Sequence, residues 1–127
     1  MYAENISCSL VAQGHKVAVF SWGSEKIPRH EIISGVEVLR VTPLPMRDGL
    51  EIFLSFQTLS WGEGLEYLLN LFCYNQLALD ALMREGGFDL LVAHDWLALP
   101  GGMAARRSGI PMIYHVHGLE TGRSQSP

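Results

Sequence analysis

Long apolar runs, excess basic charge and paired cysteines are all scarce in this 127-residue chain, and each scarcity closes off a class of function. The most apolar window, 65–82, is interrupted by Asn70, Asn75, Gln76 and Asp80, which makes it too polar to span a bilayer. Nine lysines and arginines against thirteen acidic residues leave a net charge of −4, and the basic residues are scattered. That gives no electrostatic case for nucleic acid or an anionic membrane surface. Cys8 and Cys73 are the only cysteines and no C-x-x-C occurs, so they read as buried thiols in a reducing compartment. The N-terminus lacks the charged-then-apolar design of a secretory signal, which leaves a cytoplasmic location as the default expectation. A Walker or dinucleotide fingerprint is missing too, because Gly101-Gly102 lies inside a helical stretch and not directly after a strand. Close packing is the favoured explanation of that pair. No Ser-His-Asp order or Cys-His pairing stands out as a nucleophile.

What is present fits one soluble α/β domain with enough residues for a core. Tyr2, Ile6, Leu10 and Val11 fall at helical spacing over 2–13, and Gly14 is placed to end that helix. A strand is expected over 16–22, a loop over 23–33 and a short alternating strand over 36–41. Pro43 and Pro45 stop regular structure. Two helices are expected over 50–61 and 64–85, the second carrying an apolar core stripe of Leu65, Leu68, Leu69, Phe72, Leu79 and Leu82. The run 88–93 lacks alternation, which suits a parallel strand buried on both faces. A helix over 98–107, with Pro100 in its first turn and Gly109 as its cap, leads to a last strand over 112–116.

The most informative stretch is 88–122. Two short apolar runs each end in a polar cluster with histidine, and an alanine-rich helix lies between them. In an open α/β sheet ligands bind outside the carboxyl ends of the strands, so His94, Asp95, His115, His117 and Glu120 are expected on the working edge. Asp95 could accept hydrogen bonds from sugar hydroxyls or cap the next helix. Capping is the commoner outcome for this spacing, and one residue can do both. Trp96 reads more as a packing residue than as a sugar platform. His115 and His117 share a strand face and with Glu120 could in principle hold a metal. No third ligand follows at familiar spacing, so no metal is expected and hydrogen bonding by neutral imidazole is the stronger reading.

The stretch V-A-H-D-W-L-A-L-P-G-G-M-A-A-R-R-S-G-I-P-M-I-Y-H-V-H-G-L-E-T-G-R-S resembles the N-terminal domain of retaining glycosyltransferases of the GT-B fold, with the glycogen and starch synthase-like branch as the nearest likeness. L-V-A-Q-G-H-K-V-A-V-F-S resembles a segment near the start of such domains. The resemblance implies a Rossmann-like three-layer open parallel sheet over 1–127, a partial acceptor-side domain lacking the usual first strand and the second domain. It implies His117 and Asp95 as catalytic residues, with His94, Trp96, Gly118, Glu120 and Arg123 as substrate contacts. His115 departs from the threonine often found there and receives no role. The implied reaction moves a hexose, glucose by resemblance, from an ADP- or UDP-glucose type donor to a glycan or other hydroxyl acceptor with retention, without a cofactor. Two alternatives stay open, a non-catalytic sugar-binding or split-enzyme module needing a separate C-terminal domain, and a nucleotide-sugar epimerase. The H-D-W and H-G-L-E-x-G-R pairing favours a transferase. The implied partners are a carbohydrate acceptor, a C-terminal transferase domain and, through exposed sheet edges, further copies of the chain. The 127 residues are expected not to turn over by themselves.

Overall fold

The computed structural model describes residues 2–44 and 62–118, which contain three helices and five strands. The chain divides into two compact units, Met1–Leu44 and Pro45–Pro127. The helix expected over 50–61, together with Glu120 and Arg123, lies outside the described residues.

In the first unit, helix α1 (Tyr2–Ala12) is followed by β1 (Ala18–Trp22), β2 (His30–Ile33) and β3 (Val36–Val41). Gly14, at φ +90°, ends α1 as expected, and the His15 N–H donates to the Leu10 carbonyl at 3.1 Å. That long bond is the Schellman closure of a helix end. The sheet order is β1-β3-β2, with β1 parallel and β2 antiparallel to β3. The expectation of a loop over 23–33 is thus corrected at its end, where four residues form an edge strand. The missed signal was Ser34-Gly35. Both residues have positive φ, at 51° and 82°, which makes the two-residue turn that matches the twist of a hairpin. Arg40 fastens the edge by pairing with Glu31 and by donating from Nη1 to the Pro28 carbonyl at 2.9 Å.

Gly35 also touches α1, because a Cβ there would lie 2.8 Å from Val11 Cγ1. Gly35→Ala combines left-handed strain with that clash against a stiff β-branched side chain. It is expected to destabilise the protein by about 1–2 kcal/mol, read as a lower urea midpoint, and an unchanged midpoint would refute the turn assignment.

The second unit contains α2 (Glu63–Glu85), β4 (Leu91–His94), α3 (Asp95–Arg106) and β5 (Met112–His115). Strands β4 and β5 pair in parallel, with Leu91 opposite Met112 and His94 opposite His115. The strand–helix–strand order is the parallel crossover unit of α/β proteins. With parallel pairing in both units, the mixed α/β architecture is consistent with the Rossmann-like type that the resemblance implies, although the described strands lie in two small sheets and β2 runs antiparallel where one open parallel sheet was expected.

Three readings change in detail. Strand β4 is not buried on both faces: Leu91 and Ala93 are buried, whereas Val92 is 45% and its partner Ile113 52% exposed. The core face of α2 centres on Leu71 and Asn75, one turn apart and both buried, while Leu68 and Phe72 of the expected stripe are exposed. Helix α3 starts three residues earlier than expected, so Pro100 sits in its interior. A proline there removes one ladder bond and crowds the carbonyl four residues back.

Asn75 bonds the next pair of ladder groups along the helix. Its Nδ2 donates to the Leu97 carbonyl at 2.8 Å and to the Leu71 carbonyl at 2.9 Å, and its Oδ1 accepts the Gly101 N–H at 2.8 Å. Leu97 C=O and Gly101 N–H are the two groups that a regular helix pairs with each other. One buried amide from α2 therefore serves both. The glycine pair is explained by the same packing. A Cβ at Gly101 would meet Asn75 Oδ1 at 2.8 Å, and one at Gly102 would meet Ala93 Cβ and Met112 Sδ, each at 2.9 Å.

Candidate functional site

The parallel register of β4 and β5 decides where the polar clusters go. Side chains of paired residues in neighbouring strands share a face, so His94 and His115, which end the two strands opposite each other, meet on one side. His117 follows two residues beyond His115 and joins them. The ring centroids lie 5.4 Å apart for His94 and His115, 5.2 Å for His94 and His117, and 4.5 Å for His115 and His117. Nδ1 of His94 and Nε2 of His117 are hydrogen-bonded at 2.9 Å, so one ring donates while the other accepts. The sequence reading had placed His115 and His117 together. His94, 21 positions upstream of His115 and expected on the same working edge, supplies the third ring. The available signal was that both apolar runs stop at a histidine.

Asp95 begins α3 with φ +58°, a left-handed conformation that aspartate tolerates better than most residues but that still costs about 1 kcal/mol or more. The carboxylate sits in the first turn of the helix, where negative charge is favoured. Its Oδ1 accepts the backbone N–H of His117 at 3.4 Å. The N-cap position itself belongs to His94, whose side chain makes no capping bond. Asp95 thus links the two strand ends, and the expected meeting of Asp95 and His117 at one rim is what the structure shows. Trp96, 38% exposed, packs edge-on against Tyr67 of α2 with centroids 6.4 Å apart. Packing is therefore visible for this residue, with part of the indole left open. Gly118 is half-buried directly after His117.

Electrostatics favour the neutral form of the central ring. Burial first, and then the neighbouring His117 and His115, lower the pKa of His94 below the ordinary imidazole value, while Asp95 pulls it the other way. A neutral imidazole offers one donor and one acceptor nitrogen.

The family model for the glycosyl transferase 4-like domain matches residues 1–127. The chain belongs to that family. No curated protein matches it. As a glycosyl transferase 4-like domain, the chain is a GT-B-type N-terminal domain, in which strand–helix–strand units form the sheet and the carboxyl ends of the strands form the ligand rim. The H-D-W cluster of this glycosyl transferase 4-like domain lies at one such end, and H-V-H-G begins at the next. No helix among the described residues is long and apolar enough to cross a membrane.

Proposed function

We propose that this domain forms the acceptor-side half of a retaining glycosyltransferase of the glycogen synthase-like kind, which moves a hexose from an ADP- or UDP-glucose type donor to a glycan or other hydroxyl acceptor. The observation that carries the reading is the convergence of Asp95 and His117 on one strand-end rim, with His94 hydrogen-bonded to His117. Membership of the glycosyl transferase 4-like family supports a glycosyl group as the cargo.

In this reading His117 contacts the donor sugar near the bond that breaks, and Asp95 accepts hydrogen bonds from sugar hydroxyls. His94 fixes the orientation of the His117 ring through their mutual bond. Trp96 and Gly118 line the rim, and Glu120 and Arg123 are further candidate sugar contacts. The hard step is the build-up of positive charge at the anomeric carbon while a diphosphate departs. Fixed dipoles and cations placed where charge develops are the effective catalysts of such a step. The cations for the diphosphate would come from a facing C-terminal domain, and no cofactor is required.

The test is His117→Ala in an active transferase carrying this domain. The substitution keeps the backbone N–H that bonds Asp95 and removes only the ring. Turnover is expected to fall about a hundredfold, the typical cost of losing one positioned transition-state contact, with the thermal midpoint little changed. Wild-type turnover in His117→Ala would remove the proposed role.

A further inference from the structure

We infer that His94, His115 and His117 together form a binding site for one borderline divalent transition ion, with Zn2+ as the occupant the donor set fits best. The proposal goes beyond the sugar-transfer reading and does not rest on it. Each ring offers one nitrogen, and the three donor atoms all lie within 4.8 Å of one another. Zinc bound at about 2.0–2.1 Å in tetrahedral geometry places its ligand nitrogens about 3.3–3.4 Å apart. The hydrogen-bonded pair at 2.9 Å is tighter than that distance by about 0.4 Å, and the limit of 4.8 Å is wider by about 1.4 Å. Ligation replaces the His94–His117 hydrogen bond, whose proton moves to the outer nitrogen of its ring or to solvent, and rotation of the partly exposed rings takes up the difference.

The chemistry of the donor set selects the ion. Three imidazole nitrogens without an oxygen ligand suit Zn2+, Cu2+ or Ni2+, whereas Mg2+ and Ca2+ require oxygens. Three protein ligands also leave a fourth position for water or for an oxygen of a bound ligand. The backbone prearranges the site. His94 and His115 are fixed as register partners across β4 and β5. His117 is held at its own N–H by the Asp95 carboxylate, so Asp95 acts as a positioning residue. Sequence spacing hid the site because the third ligand comes from the other strand.

The experiment uses the purified 127-residue chain and Zn2+ alone, followed by isothermal titration calorimetry, with Co2+ as a spectroscopic probe. One equivalent of Zn2+ is expected to bind at micromolar affinity or tighter. Bound Co2+ is expected to show the intense visible bands of four-coordinate geometry. His115→Ala should weaken binding about a hundredfold, while His30→Ala, which alters the separate pair with Glu37, should not. If His115→Ala loses its native circular dichroism, His117→Asn provides the same comparison. Absence of Zn2+ binding, binding that survives loss of a site histidine, or the weak spectrum of six-coordinate Co2+ would overturn the proposal. Turnover plays no part in these readouts, so this site and the transferase reading can fail independently.

Discussion

Asn75→Leu is expected to lower the stability of the second unit by about 2–4 kcal/mol, from the desolvation left on two helix groups that lose their partner. Asn75 is buried, and its amide is shared between the Leu97 carbonyl and the Gly101 N–H of α3. Leucine keeps the branching and heavy-atom count of asparagine but is the larger side chain. A hollow of ≈ 90 Å3 beside Asn75, lined also by Phe72, Pro100 and Gly101, gives it room to adjust. The loss therefore combines the unpaired polar groups with some overpacking. Asn75→Asp should not rescue stability at neutral pH. It retains the acceptor for Gly101 but sets a carboxylate against the Leu71 and Leu97 carbonyls, where the amide now donates. Urea unfolding at neutral pH measures both variants. A leucine variant with the wild-type midpoint would show that α3 closes its own ladder around Pro100.

Gly102→Leu is expected to cost about 3 kcal/mol, the upper end of ordinary overpacking. The sulfur of Met112 can swing aside, but Ala93 Cβ is fixed to the backbone of β4, and the new Cβ would fall 2.9 Å from it. The helix must lift from the sheet. Because α3 begins at Asp95, directly after the last residue of β4, lifting also disturbs the carboxylate that holds His117. The smaller change Gly102→Ala gives a cleaner measurement when combined with Ala93→Gly. The pair should be less destabilised than the sum of its single variants, because removing the Ala93 methyl opens the space that the new one needs. Strict additivity of the two in urea unfolding would contradict direct contact.

Much of this architecture is legible in the residues, and the exceptions have identifiable causes. The extents of α1, α2 and β3 follow the apolar pattern, but the buried faces of the helices do not follow it fully, since Tyr2 and Ile6 of α1 and Leu68 and Phe72 of α2 are exposed. Strand β2 escaped because His30 and Glu31 make its start look like loop, and only the Ser34-Gly35 turn betrays the hairpin. Pro100 misplaced the start of α3. A lone helix would stop there, but a side chain from α2 bonds the helix groups beside the proline, Leu97 C=O and Gly101 N–H, and no local pattern encodes that help. The candidate site shows the same division. Asp95 and His117 could be placed on one rim because both follow apolar runs of similar length. The grouping of all three histidines depends on which residue of β4 stands opposite which residue of β5, and pairing across strands is a tertiary property.

That dependence makes the imidazole cluster a built-in gauge of strand alignment. In β-structure a slip of one residue carries every side chain to the opposite face, so shifting Met112 from Leu91 to Val92 would send His115 away from His94. Any ligand that grips the rings together then resists shear between the two strands, and reports by its own affinity whether the pair has come together in step.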